Sequence, residues 1–140
     1  MTPSQSIALK RVYDAPDDSD GHRVLVDRLW PRGLTKEEAQ IDLWLRDLAP
    51  SSELRKWFHS NPENWKEFRQ RYLAELRTAA AQNALVQLYG VLDRESPVTL
   101  VFASKRADKN NATVLKEFVE GMKKPPRGSG EQRTRAQRRR

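Results

Sequence analysis

The sequence predicts an α/β fold, a small, largely parallel sheet flanked by helices within a single domain. Two apolar runs carry that prediction. Val24-Leu25-Val26 and the stretch 98–103 lack the polar alternation of a half-exposed strand, so each reads as a strand covered on both faces. Helical periodicity fills most of the chain between them, and the second run is followed by a turn and one more amphipathic helix. At 140 residues the chain is long enough for one domain with one core.

The elements follow in order. Strands are expected over 7–13 and 23–29, joined by DAPDDSDGH, a turn-rich segment too short for an ordinary crossover helix. Thr35 and Glu38 form a capping box, which places a short helix after Gly33. IDLWLRDL alternates Ile41, Leu43 and Leu45 with polar or aromatic neighbours and permits a third strand. Pro50-Ser51-Ser52 opens a helix through Trp57 and Phe58, with serine as its cap. Asn61-Pro62-Glu63 reads as a second start, with asparagine as N-cap and proline at the first helical position. Trp65, Phe68, Tyr72, Leu76 and Ala79 then mark one apolar face. A further helix is expected over 83–93, and Ser96-Pro97 ends the helical region. Asn110 or Asn111 caps the last helix, whose stripe is Val114, Leu115, Phe118, Val119 and Met122.

Charge divides the chain sharply. The net +7 resides in residues 121–140, where eight basic residues face Glu131 alone; the first 120 residues hold 18 of each sign. The expected organisation is therefore a flexible stretch 1–6, a domain over 7–122 and a disordered basic tail over 123–140. The tail is either a solvated extension or a weak, salt-sensitive binder of nucleic acid and other polyanions. The chain has no cysteine, which removes disulfides and thiolate chemistry. No apolar run approaches the ~20 residues of a membrane helix and the N-terminus lacks a signal-peptide pattern, so a cytoplasmic protein without membrane attachment is expected.

In a parallel sheet, ligands collect beyond the carboxyl ends of the strands. Two such ends are well defined, Asp27-Arg28-Leu29-Trp30-Pro31-Arg32-Gly33 and Ser104-Lys105-Arg106-Ala107-Asp108-Lys109-Asn110-Asn111. If their strands are close, Asp27, Arg28, Arg32, Lys105 and Asn110 converge with the amide donors of a helix start, a set suited to phosphate or carboxylate. The competing reading is structural: Asp27 and Arg28 pair to close a strand end, Asn110 is only a cap, and Trp44, Trp57 and Trp65 are core. Trp30 fits core and pocket wall equally. His22 and His59 have no companions at ligand spacing, so no metal is expected. The glycine-rich phosphate loops and the Gly-x-Ser-x-Gly elbow are missing, and no cofactor is expected.

LKRVYD (9–14), DGHRVLVDRLWPRGL (20–34), APSSELRKWF (49–58) and FASK with NNA within 102–112 together resemble the YeaO-like family of bacterial proteins, part of a larger domain family of unknown function. The resemblance spans about residues 7–120 and implies a small α/β domain without an established activity. Tyr13, Asp27, Arg28, Trp30, Pro31, Arg32, Gly33, Glu53, Leu54, Arg55, Lys56, Lys105 and Asn110 match its pattern. His22 stands where tyrosine is usual, and Asn111 where histidine is frequent. A related branch resembles this one but carries cysteine and histidine near the last strand–helix junction. Lys109-Asn110-Asn111 stands there in this chain, so a thiol mechanism does not transfer.

The expected function is binding of a phosphate-bearing small molecule or a nucleic-acid end. Arg28, Arg32 and Lys105 would hold the anion, Asn110 and the helix start would add donors, Asp27 would orient an arginine, and Trp30 or Tyr13 would stack on a base. The alternative on the same residues is a hydrolase or transferase with Asp27 as general base, disfavoured because flanking arginines should lower its pKa. A third is a protein-interaction module using LRKWF and the 62–80 helix face. The sequence carries no signal for oligomeric state.

The charge division is testable. Deleting residues 123–140 should abolish most non-specific affinity for duplex DNA. Full engagement of the eight tail cations gives a log–log salt slope of roughly −7, at about −0.9 per neutralised phosphate. Tight binding that survives truncation would place the interaction in the domain instead.

Overall fold

Five consecutive residues, Val98–Phe102, are all buried, and the sheet is built around them. The computed structural model describes residues 7–95 and 97–121. The expectations for 1–6, for Met122 and for the tail over 123–140 lie outside those residues. The strands are β1 (Ile7–Arg11), β2 (His22–Leu25), β3 (Leu43–Trp44) and β4 (Val98–Phe102), ordered β1-β4-β2-β3. Every neighbouring pair is parallel. β4 therefore lies between β1 and β2, with Leu100 beside both Leu9 and Val24.

Side chains alternate between the two faces of this sheet. Ile7, Val24, Val98, Leu100 and Phe102 face the larger core, with Leu54, Phe68, Tyr72, Leu85, Leu88, Leu92 and Leu115 from the helices. Leu25 and Val101 face a smaller cluster with Val12 and Ala39, flanked by Trp30, Leu34, Ile41 and Trp44. The fold is α/β, and the uninterrupted apolar run at 24–26 is explained: all three residues have no exposed surface because both faces are covered.

The helices are α1 (Lys36–Ala39), α2 (Ser52–Ser60), α3 (Trp65–Glu75), α4 (Ala79–Glu95) and α5 (Asn111–Glu120). The expected caps of α1, α2 and α5 are present: Thr35 accepts from Glu38 N, Ser51 from Leu54 N and Asn110 from Thr113 N. Three expectations are corrected. Asn61 closes α2 rather than opening α3; its side-chain amide donates to Trp57 O at 2.8 Å, and the next helix begins at Trp65. The helix expected over 83–93 starts at Ala79, where Thr78 takes over the capping role by accepting from Ala81 N at 3.4 Å. Ala79 is thus exposed at a new helix start rather than extending the α3 face. The third strand shrinks to two residues, because the backbone after Leu45 turns into a 3₁₀ segment at Arg46–Leu48.

A buried charge network fixes the amino-terminal edge of the sheet. Asp20 accepts from Lys10 Nζ at 3.0 Å and from Arg23 Nη1 at 2.7 Å, while Arg23 also donates to Ala39 O and Gln40 O. Arg23 is only 3% exposed, so its guanidinium needs every one of these acceptors. Burial works against the Asp20 carboxylate, but Lys10, the Asp17 amide and Arg23 outweigh it and hold its pKa below the ordinary value. Gly21 follows with φ +66°, and a Cβ there would lie 2.2 Å from Pro97 O, so the chain passes under the start of β4 only as glycine. Asp20→Ala, which strands Arg23, should cost about 3 kcal/mol in chemical denaturation. A loss below about 1 kcal/mol would mean the backbone carbonyls alone satisfy the guanidinium.

Candidate functional site at the carboxyl edge of the sheet

With every strand parallel, β1, β2 and β4 end at the same edge, and side chains tie those ends together. Asp27, two residues beyond β2, accepts from the Ala103 amide just past β4 at 2.8 Å. Arg11 at the end of β1 donates to Ser104 O at 2.9 Å and Ala103 O at 3.3 Å. The Tyr13 hydroxyl donates to Arg32 O at 2.8 Å. Asp27, Tyr13, Arg32 and the loop that carries Lys105 therefore share one edge.

Asp27 differs in detail from its expected role. Neither Arg28 nor Arg32 pairs with it. Its second oxygen accepts from Asn111 Nδ2 at 3.2 Å, and the same amide donates to Val26 O at 2.8 Å. Burial is the largest influence and raises its pKa, although the Ala103 amide, Asn111 and the Arg55 charge pull it down. The lowered pKa expected from flanking arginines is thus reversed, because burial outweighs the donors and charge around the carboxyl and Arg28 is engaged elsewhere. Arg28 donates through Nε to Pro50 O at 3.1 Å and through Nη2 to Ala49 O at 3.2 Å, anchoring the approach to α2. That guanidinium is occupied by the fold.

Asn110 is likewise a structural residue. It is 3% exposed, receives Thr113 N at 3.0 Å and donates to Arg106 O at 2.6 Å, so both ends of its amide are satisfied internally. Trp30 is half-buried, donates to Leu34 O at 2.7 Å and meets Trp44 edge-on at 5.6 Å; it is a wall of the smaller core. The remaining expected residues face solvent. Arg32 and Lys105 are exposed, and among the described residues neither forms an ion pair. Tyr13 is also exposed, with the Arg11 guanidinium 5.4 Å from its ring centroid.

Four residues outside the expected ligand set act around this edge, the exposed Arg55 and three that are buried or part-buried. Asn111 and Arg55 act on Asp27 as described. Tyr72, fully buried, donates its hydroxyl to Leu48 O, and burial raises its pKa, with Asp27 and Glu75 adding to the rise. Glu75 receives Ser51 N at 2.7 Å and Ser51 Oγ at 2.6 Å. A carboxylate three residues after Tyr72 on one helix face was the available sequence signal for Glu75. Asn111 stands in the strand-end segment read from the sequence, but there only as an alternative cap; nothing local paired it with Asp27, 84 positions away. The aromatic residues of the third expected reading, Trp57, Phe58 and Trp65, are part-buried; Phe58 stacks on Phe68 at 4.3 Å, and Arg71 covers Trp57 at 4.3 Å.

Residues 6–134 match a family described as the inactive DUF488-N3 subclade. The chain belongs to that family. Uncharacterized protein YeaO of Escherichia coli (strain K12) is 38% identical over 117 residues, covering 84% of this chain and 99% of its own. Uncharacterized protein Rv3073c of Mycobacterium tuberculosis is 40% identical over 121 residues, covering 86% and 99%. A Mycobacterium bovis relative, Uncharacterized protein Mb3100c, matches to the same extent. No solved structure matches. These family members are similar over the same domain that holds the Asp27 edge.

The Asp27–Asn111 contact has a pH signature. With its folded pKa raised above 3.8, Asp27 leaves the folded state holding more protons than the unfolded state in the window just above that value, so its contribution to stability falls as pH rises through it. Asn111→Ala removes a donor to the charged form. The variant should lose about 1–3 kcal/mol at pH 7 and less at pH 4, measured by urea denaturation at both. An equal loss at both pH values would show that only the bond to Val26 O matters.

Proposed function

We propose that this protein is a binding domain for a phosphate-bearing ligand, without catalysis, and that the ligand sits at the carboxyl edge of the sheet. The observation that carries the reading is the set of ties among the three strand ends, which presents on one edge the exposed Arg32 and Lys105, neither in an ion pair among the described residues. Two flexible cations held by a rigid frame favour a compact anion. Arg28 and Asn110 leave the ligand set and become positioning residues for the loops beneath it.

The enzymatic alternative has one point in its favour, since a raised carboxylate pKa is what a general base needs. Against it, both Asp27 oxygens already accept hydrogen bonds from the fold. The description of the family as inactive supports the same choice. The proposed role of Asp27 is to join the strand ends, not to take a proton.

Calorimetry of the full chain with ribose 5-phosphate at fixed ionic strength tests this. Arg32→Ala and Lys105→Ala should each weaken binding by about 1.5–3 kcal/mol, the worth of a hydrogen bond to a charged group. Asp27→Asn, provided its melting transition remains cooperative, should still bind. Unchanged affinity in both cation variants would remove the proposal.

A further inference from the structure

The geometry points to a nucleotide unit as the ligand, with its base stacked on Tyr13; this rests on the phosphate reading above and specifies it. Among the described residues, the exposed large apolar side chains are Tyr13 at 42% and Leu29 at 61%. Both lie in the strand-end loops, Leu29 three positions before Arg32 in the chain. An exposed tyrosine is ordinarily free to change rotamer, but this one is held at both ends. Its hydroxyl is fixed on Arg32 O at 2.8 Å, and the Arg11 guanidinium lies 5.4 Å from its ring centroid. Arg11 is itself immobilised by Ser104 O and Ala103 O. The ring therefore has a fixed orientation and a cationic backing, yet keeps much of its surface open.

A ring held in place before binding loses little freedom when a second ring stacks on it. Any base offers a π face, so the platform selects for the presence of a base rather than for its identity. The backbone of Arg32 anchors the tyrosine while its side chain carries an exposed charge. Stacking and phosphate contact thus occur at neighbouring points, the arrangement of base and phosphate in one nucleotide. A sugar phosphate satisfies only half of it. The unit is either a free nucleotide or the 5′ end of a single strand.

Calorimetry with the full chain at fixed ionic strength separates these readings. The probes are adenosine 5′-monophosphate, ribose 5-phosphate and a 5′-phosphorylated hexathymidylate. The nucleotide should bind the wild type about tenfold or more tighter than the sugar phosphate, the range for one stacked base. Tyr13→Ala should erase that difference, bringing nucleotide affinity down to that of the sugar phosphate, whereas Tyr13→Phe, which loses the same hydroxyl tie to Arg32 O but keeps the ring, should preserve most of the preference. Tighter binding of the hexamer than of the mononucleotide that is lost in Tyr13→Ala, a change that attraction to the basic residues of 123–140 would survive, would assign the unit to a strand end, and equal binding to free nucleotide; both support the inference. Equal affinity of wild type for nucleotide and sugar phosphate, or an equal loss of both in Tyr13→Ala, would overturn the stacking platform while leaving the phosphate site standing. Failure of every probe would overturn both.

Discussion

The Asp27 carboxylate is the joint on which the functional edge depends. It receives the first free amide beyond β4 and the side chain of the first residue of α5. Without it, the Ala103 N–H would need another partner at a point where the sheet ladder has just ended. The same residue accepts the Trp44 indole N–H on its backbone oxygen at 2.7 Å, so β3 is tied to the joint as well. Burying a charge so near the strand ends opposes folding, and the raised pKa is the direct sign of that opposition. The hydrogen bonds it receives offset the cost and fix how the ends of β2 and β4 and the start of α5 sit together.

Arg28 and Glu75 perform a parallel task one layer away. The residues 48–51 bend from a 3₁₀ turn into α2 and expose carbonyls and an amide that no ladder satisfies. Tyr72 takes the 48 carbonyl, Arg28 takes the next two, and Glu75 receives the Ser51 donors. Three ionisable side chains are thus consumed in building a corner. On the same edge Arg32 and Lys105 are exposed and, among the described residues, in no ion pair, so there the fold separates structural charge from available charge by depth.

Much of the fold was legible in the sequence because its signals are local. The apolar runs at 24–26 and 98–103 named the central strands, and Thr35, Ser51 and Asn110 named three helix starts through side chains acting within four residues. Asn61-Pro62-Glu63 misled because the same asparagine amide can close a helix as well as open one, and here it reaches back to Trp57. The site was less legible. Adjacent residues in extended chain point to opposite sides, so Asp27 and Arg28 were poorly placed to meet, whatever their charges. Their actual partners lie 76 and 84 positions away for the acid and 21 and 22 for the arginine. Pattern reading within a window finds which residues gather at an edge; it does not find how each is used there.

The strand order also governs how the chain can assemble. β1 precedes the other described strands and among the described residues pairs only with β4, with Ile7 matched to Val98, so this strand has no neighbour until nearly the whole domain exists. During synthesis at about 5–20 residues per second, the amino-terminal segment waits several seconds for its mate. Through that interval, helices α2 to α4 can form locally, but the sheet they cover lacks its central member. Pairings of such long sequence separation are entropically slow to close. Folding of the sheet is therefore a late event on the ribosome, and the chain's exposed first strand is where premature association with other chains would begin.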